Sequence, residues 1–454
     1  MTTQLATALV LGIIGWLFWH DFRERSRVTN ALWLPFLWAF ISGTRFPTEW
    51  MQMFFGTVVG GTSTDEGSPV DAVFFFVIIV LGLAVLAQRR VNLSVFIRHN
   101  PWVVLYLLYC LLSVLWSDIP LVAFKRWIKL FGQPVMVLVL LTEPDPLEAF
   151  TRLLKRLAYV ILPVSILFTR YYPEWGRAWD GWTGAPMNTG ITTNKNSLGC
   201  DAFMIGLFFL WHLLRVWRRE PGPKRTFEIR LSAVFLLLTV WALHTARSST
   251  STGVLVLGTA VMLLATSSFI RRRIVPYFVG GLVFLVIAEL VFGIHNLAIA
   301  ALGRETTLTG RTDVWKVLIT WDINPLLGVG YESFWRDSIM AKMAILMPGL
   351  VINESHNGYL ETYLSLGLIG LFLLLAMFVA AFRKATRALN ANLEIGSFPL
   401  GYVMAFAIYN VTEAAFRTHG VPFFIFFLMV IEYPWTPAPM AETKPALENA
   451  EYEF

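Results

Sequence analysis

A single histidine stands where a polar segment enters an apolar run: Ser355-His356-Asn357-Gly358 leads into Tyr359-Leu360-Glu361-Thr362-Tyr363-Leu364-Ser365-Leu366-Gly367-Leu368-Ile369-Gly370. This puts a titratable imidazole at a membrane surface beside a helix start. The positive end of the helix dipole favours the neutral ring, and a neutral imidazole can accept or orient a hydroxyl proton. The bland alternative is an interfacial histidine bonded to a loop carbonyl. Chemistry on a lipid-anchored polar substrate suits the placement better than passive anchoring does.

Cations accompany the imidazole. Arg311 opens an expected helix, with Val314, Trp315 and Leu318 on one side, and its guanidinium could grip phosphate oxygens bidentately. A solvated arginine beside Asp313 is the plain alternative. Lys125, Arg126 and Lys129 flank an apolar run, and positions 125 and 129 share a helix face; snorkelling to headgroups explains them equally well. Lys195, Arg247, Glu413 and Arg417 complete the ionisable set, with Asn194 and Asn357 in support. Of these, Lys195 also reads as a solvated turn lysine and Glu413 as an ion-paired interfacial acid. The six other histidines, including His212 and His244, read as packing or interfacial residues.

The chain has no His-Glu-x-x-His, no Cys-x-x-Cys and no tight acidic run, so neither a metal nor a cofactor is expected. Cationic side chains would have to stabilise an anionic leaving group in a metal's place. Cys110 and Cys200 fall inside apolar runs and read as small buried hydrophobes rather than a disulfide.

The elements that must position these groups are membrane helices. Of 454 residues, 56% are hydrophobic and 15% charged, against about 25% charged in soluble domains. Apolar runs approach the roughly 20 residues that a bilayer requires of a helix. Thirteen candidate spans emerge: 3–20, 28–44, 71–87, 101–117, 130–142, 157–170, 196–214, 231–246, 253–270, 274–295, 359–381, 397–412 and 420–433. Those at 130–142 and 157–170 are short enough to be tilted or re-entrant. The first run lacks a preceding basic residue and a small-residue cleavage pattern, so a retained span is expected rather than a signal peptide.

Most of the Lys and Arg residues fall in loops on one side: Arg23, Arg25 and Arg27; Arg89, Arg90 and Arg98; Arg152, Lys155 and Arg156; the cluster from Arg215 to Arg230; Arg271 to Arg273; Arg383, Lys384 and Arg387; and Lys444. Basic residues stay on the cytoplasmic side of short loops, which puts the N-terminus in the periplasm and the C-terminus in the cytoplasm. The net charge of +6 is then mostly a topology signal, and nucleic acid is not an expected partner. The remaining basic residues, among them Arg45, Arg170 and Arg177, fall on the opposite side, whose loops at 42–70, 171–195 and 296–355 are the longest in the chain. Trp175, Trp179, Trp182, Trp315, Trp321 and Trp335 offer flat faces for interfacial anchoring, and together they suggest a vestibule for an anionic, sugar-bearing molecule. The segment 296–355 reads as a linker, a helix near 309–320, a turn at Asn324-Pro325 and an irregular stretch through Gly349. A Pro- and Glu-containing tail, 434–454, reads as disordered and cytoplasmic. The domain reading is one transmembrane unit over 1–433.

Several of these stretches resemble the O-antigen ligase and O-antigen polymerase superfamily. Its ligase motif is His, then Asn, Ser or Arg, nine residues, and Gly-x-x-(Gly, Thr or Val). His356, Asn357, Gly367 and Gly370 match it at the end of a large external loop leading into a span. Further matches follow in family order: Trp116-Ser117-Asp118-Ile119-Pro120 with Lys125-Arg126, Thr193-Asn194-Lys195-Asn196-Ser197-Leu198-Gly199, Thr309-Gly310-Arg311-Thr312-Asp313-Val314-Trp315, Asn324-Pro325-Leu326-Leu327-Gly328-Val329-Gly330, and Asn410-Val411-Thr412-Glu413. They cover most of 100–420. Where members often carry Ser-Arg-Thr or Ser-Lys-Thr before the ninth span, this chain reads Ala246-Arg247-Ser248-Ser249-Thr250-Ser251-Thr252-Gly253, and the corresponding residue stays open.

The resemblance, which leans to exopolysaccharide-production members, implies an all-α polytopic fold of the GT-C type with about 12–13 transmembrane helices. It implies a metal-independent, inverting glycosyltransferase in the bacterial inner membrane. The donor would be a glycan on undecaprenyl diphosphate at the periplasmic face and the acceptor a glycan or lipid, with membrane lipids and other polysaccharide assembly proteins as partners. His356 would then be catalytic, and Arg311, Arg126, Lys125, Arg247 and Lys195 would hold the diphosphate. A transporter or flippase for lipid-linked or anionic saccharides would instead show ionisable residues within spans and an internal repeat. Only Asp201 and Glu289 are acidic residues lying well inside apolar runs. A non-catalytic subunit of a polysaccharide assembly complex is the third reading.

Overall fold

The structure is a computed structural model and describes residues 2–24, 26–56, 67–179, 184–274, 276–277, 311–348, 350, 352–416 and 420–434. In chain order its helices are α1 (Thr3–Arg23), α2 (Trp33–Gly43), α3 (Pro47–Phe55), α4 (Pro69–Gln88), α5 (Leu93–His99), α6 (Pro101–Leu112), α7 (Pro120–Leu141), α8 (Pro146–Tyr171) and the short α9 (Pro173–Gly176). A two-stranded antiparallel hairpin, β1 (Arg177–Trp179) and β2 (Pro186–Asn188), pairs Ala178 with Met187. There follow α10 (Lys195–Trp217), α11 (Pro223–Ala246), α12 (Ser249–Leu264), α13 (Ser268–Arg272), α14 (Arg311–Ile319), α15 (Asp337–Leu346), α16 (Gly358–Ala391), α17 (Leu393–Thr412) and α18 (Val421–Val430).

The starts of these helices are written in the sequence. Proline occupies the first turn of α3, α4, α6, α7, α8 and α11, where its missing N–H costs no hydrogen bond and its fixed φ suits the helix. Asn92, Asn194, Asn357 and Asn392 cap α5, α10, α16 and α17 with side-chain oxygens that accept first-turn amides.

Six of the described helices are long and apolar enough to cross a bilayer: α1, α4, α10, α11, α16 and α17. A seventh span would join α5 to 101–116 across a bend of 101°. Three shorter apolar helices, Asn30–Gly43, Ser249–Leu264 and Val421–Val430, lie among them. The chain is therefore an all-α polytopic membrane protein, with fewer full-length spans among the described residues than the thirteen runs suggested; 278–295 of the tenth run lie outside them. The runs at 130–142 and 157–170 prove to be the apolar halves of α7 and α8, each of which continues into a charged half.

Burial separates the centre from the rim. Phe203, Phe208, Phe209, Tyr402, Phe406 and every residue of α18 are buried, so α10, α17 and α18 form the middle. By contrast, Val73, Phe76, Val77 and Val80 of α4 are exposed, as expected of a face turned to lipid.

At the end of the bundle opposite His356, the sequence reading placed Arg152, Lys155 and Arg156 in a loop. They sit within α8, buried and paired. Arg156 reaches Asp21 at 2.8 Å, Lys155 reaches Glu228 at 2.5 Å, and His212 approaches the other oxygen of Glu228 at 2.8 Å. Such charges can be buried because each finds an opposite partner.

The described part of the large loop is more ordered in sequence terms than the irregular stretch expected through Gly349, because α15 falls inside it. Val314, Leu318, Phe334, Ile339, Met343, Ile352 and Leu364 make a small apolar core of their own on the start of α16. Helix α16 is interrupted at Gly367, which has φ 62 and ψ −164. The Asn324–Gly330 turn inserts there: Leu368 N–H donates to Pro325 O at 2.9 Å and Gly330 N–H to Ser365 O at 2.8 Å. A Cβ at Gly367 would lie 2.2 Å from Leu326 O. Glycine is needed twice over, for the left-handed φ and for the close approach of the inserted turn.

Candidate functional site

The segment before α16 is held from three sides. Asn357 Oδ1 accepts from the amides of Tyr359 and Leu360, both at 3.0 Å. Trp315 of α14 donates its indole N–H to Ser355 O at 2.7 Å, and Ser355 N–H donates to Glu361 at 3.1 Å. Gly358 N–H donates to Glu413 O at 3.0 Å, joining the end of α17 to the start of α16. A Cβ at Gly358 would lie 2.4 Å from Asn410 Oδ1, so glycine permits the junction. His356 itself has φ 52, a left-handed conformation that is sparse outside glycine and collects at functional sites.

Glu413 is the hub. Arg311 donates to its Oε1 at 3.0 Å and to Thr412 O. Asn196 donates to its Oε2 at 3.1 Å. His356 Nδ1 lies 3.7 Å from the same oxygen and 3.0 Å from Glu354 Oε1.

Burial alone would lower the pKa of His356, but the carboxylates of Glu354 and Glu413 outweigh it and the Arg311 charge, raising it to about 9. This reverses the neutral ring expected from the helix dipole. Two full charges in contact prevail over a fractional one, so the resting group is imidazolium.

Glu354, His356 and Glu413 each offer one ligand atom, all within 4.8 Å of one another, a donor set of the kind that holds divalent ions. Spacing in the sequence does not bring Glu413 beside the other two, which is why no acidic cluster was visible there. The two carboxylates are already faced by the Arg311 guanidinium and the imidazolium, which balance their charge without an ion.

Three cavities surround the hub. One of about 290 Å³ includes Glu49, Glu354, Glu413, Asn194 and Asn196 in its wall. A second, about 240 Å³, is lined by Arg126, Glu332, Trp335 and Glu361 and meets the first at Ala414. The third, about 510 Å³, collects Arg170, Arg177, Lys195 and Arg247 around Trp241, with no carboxylate among its described lining residues. Arg247 caps α11 at φ 50. Near the end of α17, Arg311 donates to Thr412 O, and Thr412 Oγ1 is 3.0 Å from Thr250 Oγ1 at the start of α12.

The structure thus gathers His356, Asn357, Arg311 and Glu413 at one point. Lys195 and Arg247 share the neighbouring basic cleft, and Arg126 donates to Glu332 O in the second cavity. Lys125 stands exposed apart from all three cavities, and Asn194 serves as the cap of α10, accepting from Ser197 N–H at 2.8 Å. Arg417 and Trp182 lie outside the described residues. Trp175 stacks on Tyr172 at 4.8 Å and Trp321 packs on Phe334, so both are structural, whereas Trp335 lines a cavity. Arg45 is likewise structural, donating to Trp175 O and Thr192 O at 2.7 and 2.8 Å. Sequence reasoning missed Glu354 and Asn196. The first lies two residues before His356 and the second inside the Thr-Asn-Lys-Asn stretch, so proximity to motifs already singled out was the available signal.

A helical membrane bundle with a His–Glu–Arg constellation at one end defines the class: an all-α polytopic membrane protein with a cluster of ionisable side chains beside its described spans. Residues 231–375, which include Arg247, Arg311, His356 and Gly367, match the family described as O-Antigen ligase. The chain is also 26% identical over 297 residues to the exopolysaccharide production protein ExoQ of Rhizobium meliloti (strain 1021), a match spanning 62% of this chain and 64% of that protein. Both matches cover part of the chain and show what it is similar to: an O-antigen ligase domain and an exopolysaccharide production protein.

Proposed function

We propose that the chain is an inner-membrane glycosyltransferase, taking a glycan from an undecaprenyl-diphosphate donor at the periplasmic face and transferring it with inversion and without a metal. The observation that carries the proposal is the convergence of His356, Glu413 and Arg311 near a cleft whose described lining holds Lys and Arg but no carboxylate, and beside a cavity whose described lining holds carboxylates but no Lys or Arg. A leaving diphosphate gains negative charge as the glycosidic bond breaks, and fixed guanidinium and ammonium groups stabilise it without reorganising. Arg247, Lys195, Arg170 and Arg177 supply that field in the cleft.

In this reading His356 accepts the proton of the attacking hydroxyl in its neutral form, and the flanking carboxylates stabilise the imidazolium that results. The oxygen so activated attacks the anomeric carbon from the face opposite the diphosphate, which gives inversion. The exopolysaccharide-production resemblance favours polymerisation of repeat units over attachment of a finished glycan to a lipid.

The test is reconstitution of the purified chain with a lipid-diphosphate glycan in excess chelator, followed by sizing of the products. Longer chains indicate a polymerase, and glycan on a new acceptor indicates a ligase. No transfer to either acceptor rejects the assignment.

A further inference from the structure

The carboxylate-lined cavity continues below the hub to a residue that the mechanism leaves unused. Asp201 lies six residues into α10 from Lys195, about 9 Å along the helix at 1.5 Å per residue, and belongs to the cavity wall. It is 2% exposed, and its Oδ2 has no hydrogen-bond partner among the described residues. Ser42 Oγ, also from the wall of this cavity, is in the same state. Space beside Asp201 exists because α2 ends in glycine: a Cβ at Gly43 would lie 3.5 Å from Asp201 Oδ1 and 2.6 Å from Val421 Cγ2. An acidic residue within an apolar span is costly and marks a functional site by default.

The lining selects the occupant. Glu49, Asp201, Glu354 and Glu413 contribute four carboxyl groups, and no Lys or Arg is among the described lining residues. Phosphate would be repelled, whereas a neutral molecule rich in hydroxyl donors would find acceptors on several sides. Phe46 and Tyr409 add aromatic faces. The volume of about 290 Å³ corresponds to roughly ten waters at about 30 Å³ each, room for a single sugar ring with a little solvent.

We propose that this cavity binds one uncharged sugar ring of the glycan and that Asp201 is its specificity-determining residue, accepting hydrogen bonds from the ring hydroxyls. The inference rests on the reading that the chain handles a glycan, and it adds where a ring sits and which residue reads it. The four cations of the neighbouring cleft and the four carboxyls here then sort the two ends of a lipid-linked glycan by charge.

The experiment is saturation-transfer-difference NMR on the full chain in nanodiscs with the methyl glycosides of glucose, galactose and mannose as probes. Wild type and His356→Ala should both give a saturable signal with at least one glycoside, since binding does not need the chemistry. Asp201→Asn, with almost the same volume, should weaken that glycoside at least tenfold. Gly43→Ala, which narrows the space from the opposite wall, should weaken it independently.

Absence of saturable binding by any of the three glycosides overturns the proposal. So does an affinity unchanged in Asp201→Asn, or displacement of the glycoside by inorganic phosphate. Glycoside binding that depends on Asp201 in a protein without transfer activity would retain the sugar site and reject the transferase. Transfer with unaltered glycoside affinity in Asp201→Asn would do the reverse.

Discussion

Arg311 and Glu413, 102 residues apart in sequence, meet at 3.0 Å in a largely buried ion pair, and the same carboxylate faces His356 from its other oxygen. A residue from the large loop and one from the end of α17 are thereby tied to the imidazole through a single carboxyl group. Arg311 has two contacts in this arrangement: it balances Glu413 and donates to Thr412 O at the end of α17. Arg311→Ala is expected to lower transfer about 10²–10³-fold, the size usual for losing a fixed group that stabilises developing charge. Arg311→Lys should recover little, because a point ammonium cannot reproduce the paired contacts to Glu413 and Thr412 O. Initial rates in reconstituted vesicles decide it, and near-normal activity in the lysine variant would remove the bidentate role.

The pH dependence follows from the same contacts. Because the pKa of His356 is raised to about 9 by Glu354 and Glu413, roughly 1% of the ring is neutral at pH 7, one factor of ten per unit. If the neutral ring accepts the proton, the rate climbs with pH and levels off above about 9. His356→Ala is expected to lose about 10²–10⁴ in rate. In Glu413→Gln the inflection should move down towards the ordinary imidazole value near 6.5. A profile that is flat from pH 6 to 10, or an inflection unmoved in Glu413→Gln, contradicts the assigned role.

Stability carries the same signature with a definite sign. A pKa raised in the folded state means the protonated ring favours folding, so the contribution is complete below about pH 6.5 and disappears as pH rises through about 9. The melting temperature of the wild type relative to His356→Ala should therefore decline between these two values. A difference that grows across that window would mean the ring is held neutral.

How much of this could be read from the chain varies by residue for physical reasons. Apolar runs and the spacing of Val314, Trp315 and Leu318 are local signals, and they carried the all-helical membrane class and the helix expected near 309–320, whereas the capping roles of Asn194 and Asn357 emerged only with the fold. The number of full-length spans did not follow, since an apolar run such as 157–170 is the same whether it crosses a bilayer or forms half of α8. The dipole argument for His356 failed because the deciding charge, Glu413, is distant in sequence. Arg152, Lys155 and Arg156 look like loop residues until Asp21 and Glu228 are seen beside them. Local grammar is legible, whereas pairing of distant charges requires the fold.

The interruption of α16 makes a prediction about folding rather than chemistry. Gly367→Ala would place a Cβ 2.2 Å from Leu326 O at a φ of 62°, so backbone must move. A left-handed residue of this kind costs about 1–3 kcal/mol by itself, and the collision adds to it. The variant is expected to lose the Asn324–Gly330 insertion and to melt well below the wild type in detergent. Activity should fall with it, because the first part of α16 carries the cap of the His356 segment. An alanine variant with unchanged melting temperature would show that the turn can seat without this glycine.

Metal dependence separates two accounts of the Glu354–His356–Glu413 set. If Arg311 and the imidazolium already balance the carboxylates, transfer continues in excess chelator and added Mg²⁺ or Mn²⁺ changes little at neutral pH. Should chelation abolish activity and one of these ions restore it, the three donor atoms within 4.8 Å would be metal ligands and His356 would not be available as a base.

The buried pair at the other end of the bundle gives a test free of any functional assumption. Lys155 and Glu228 are in contact at 2.5 Å with both side chains nearly inaccessible, and Glu228 also engages His212. Removing one charge leaves the other buried without this partner, a loss of about 3–5 kcal/mol in buried pairs, whereas replacing both by apolar groups of similar size is often neutral. Lys155→Met alone should therefore destabilise strongly, and Lys155→Met with Glu228→Leu should recover most of the loss. Recovery will stop short of the wild type, since His212 Nε2 loses its carboxylate partner in the double variant and its Nδ1 already has none among the described residues. Adding His212→Leu should close that remaining gap. Unfolding of the four proteins in one detergent measures each step, and a double variant no more stable than Lys155→Met would mean that packing around α8, rather than the stranded charge, governs the loss.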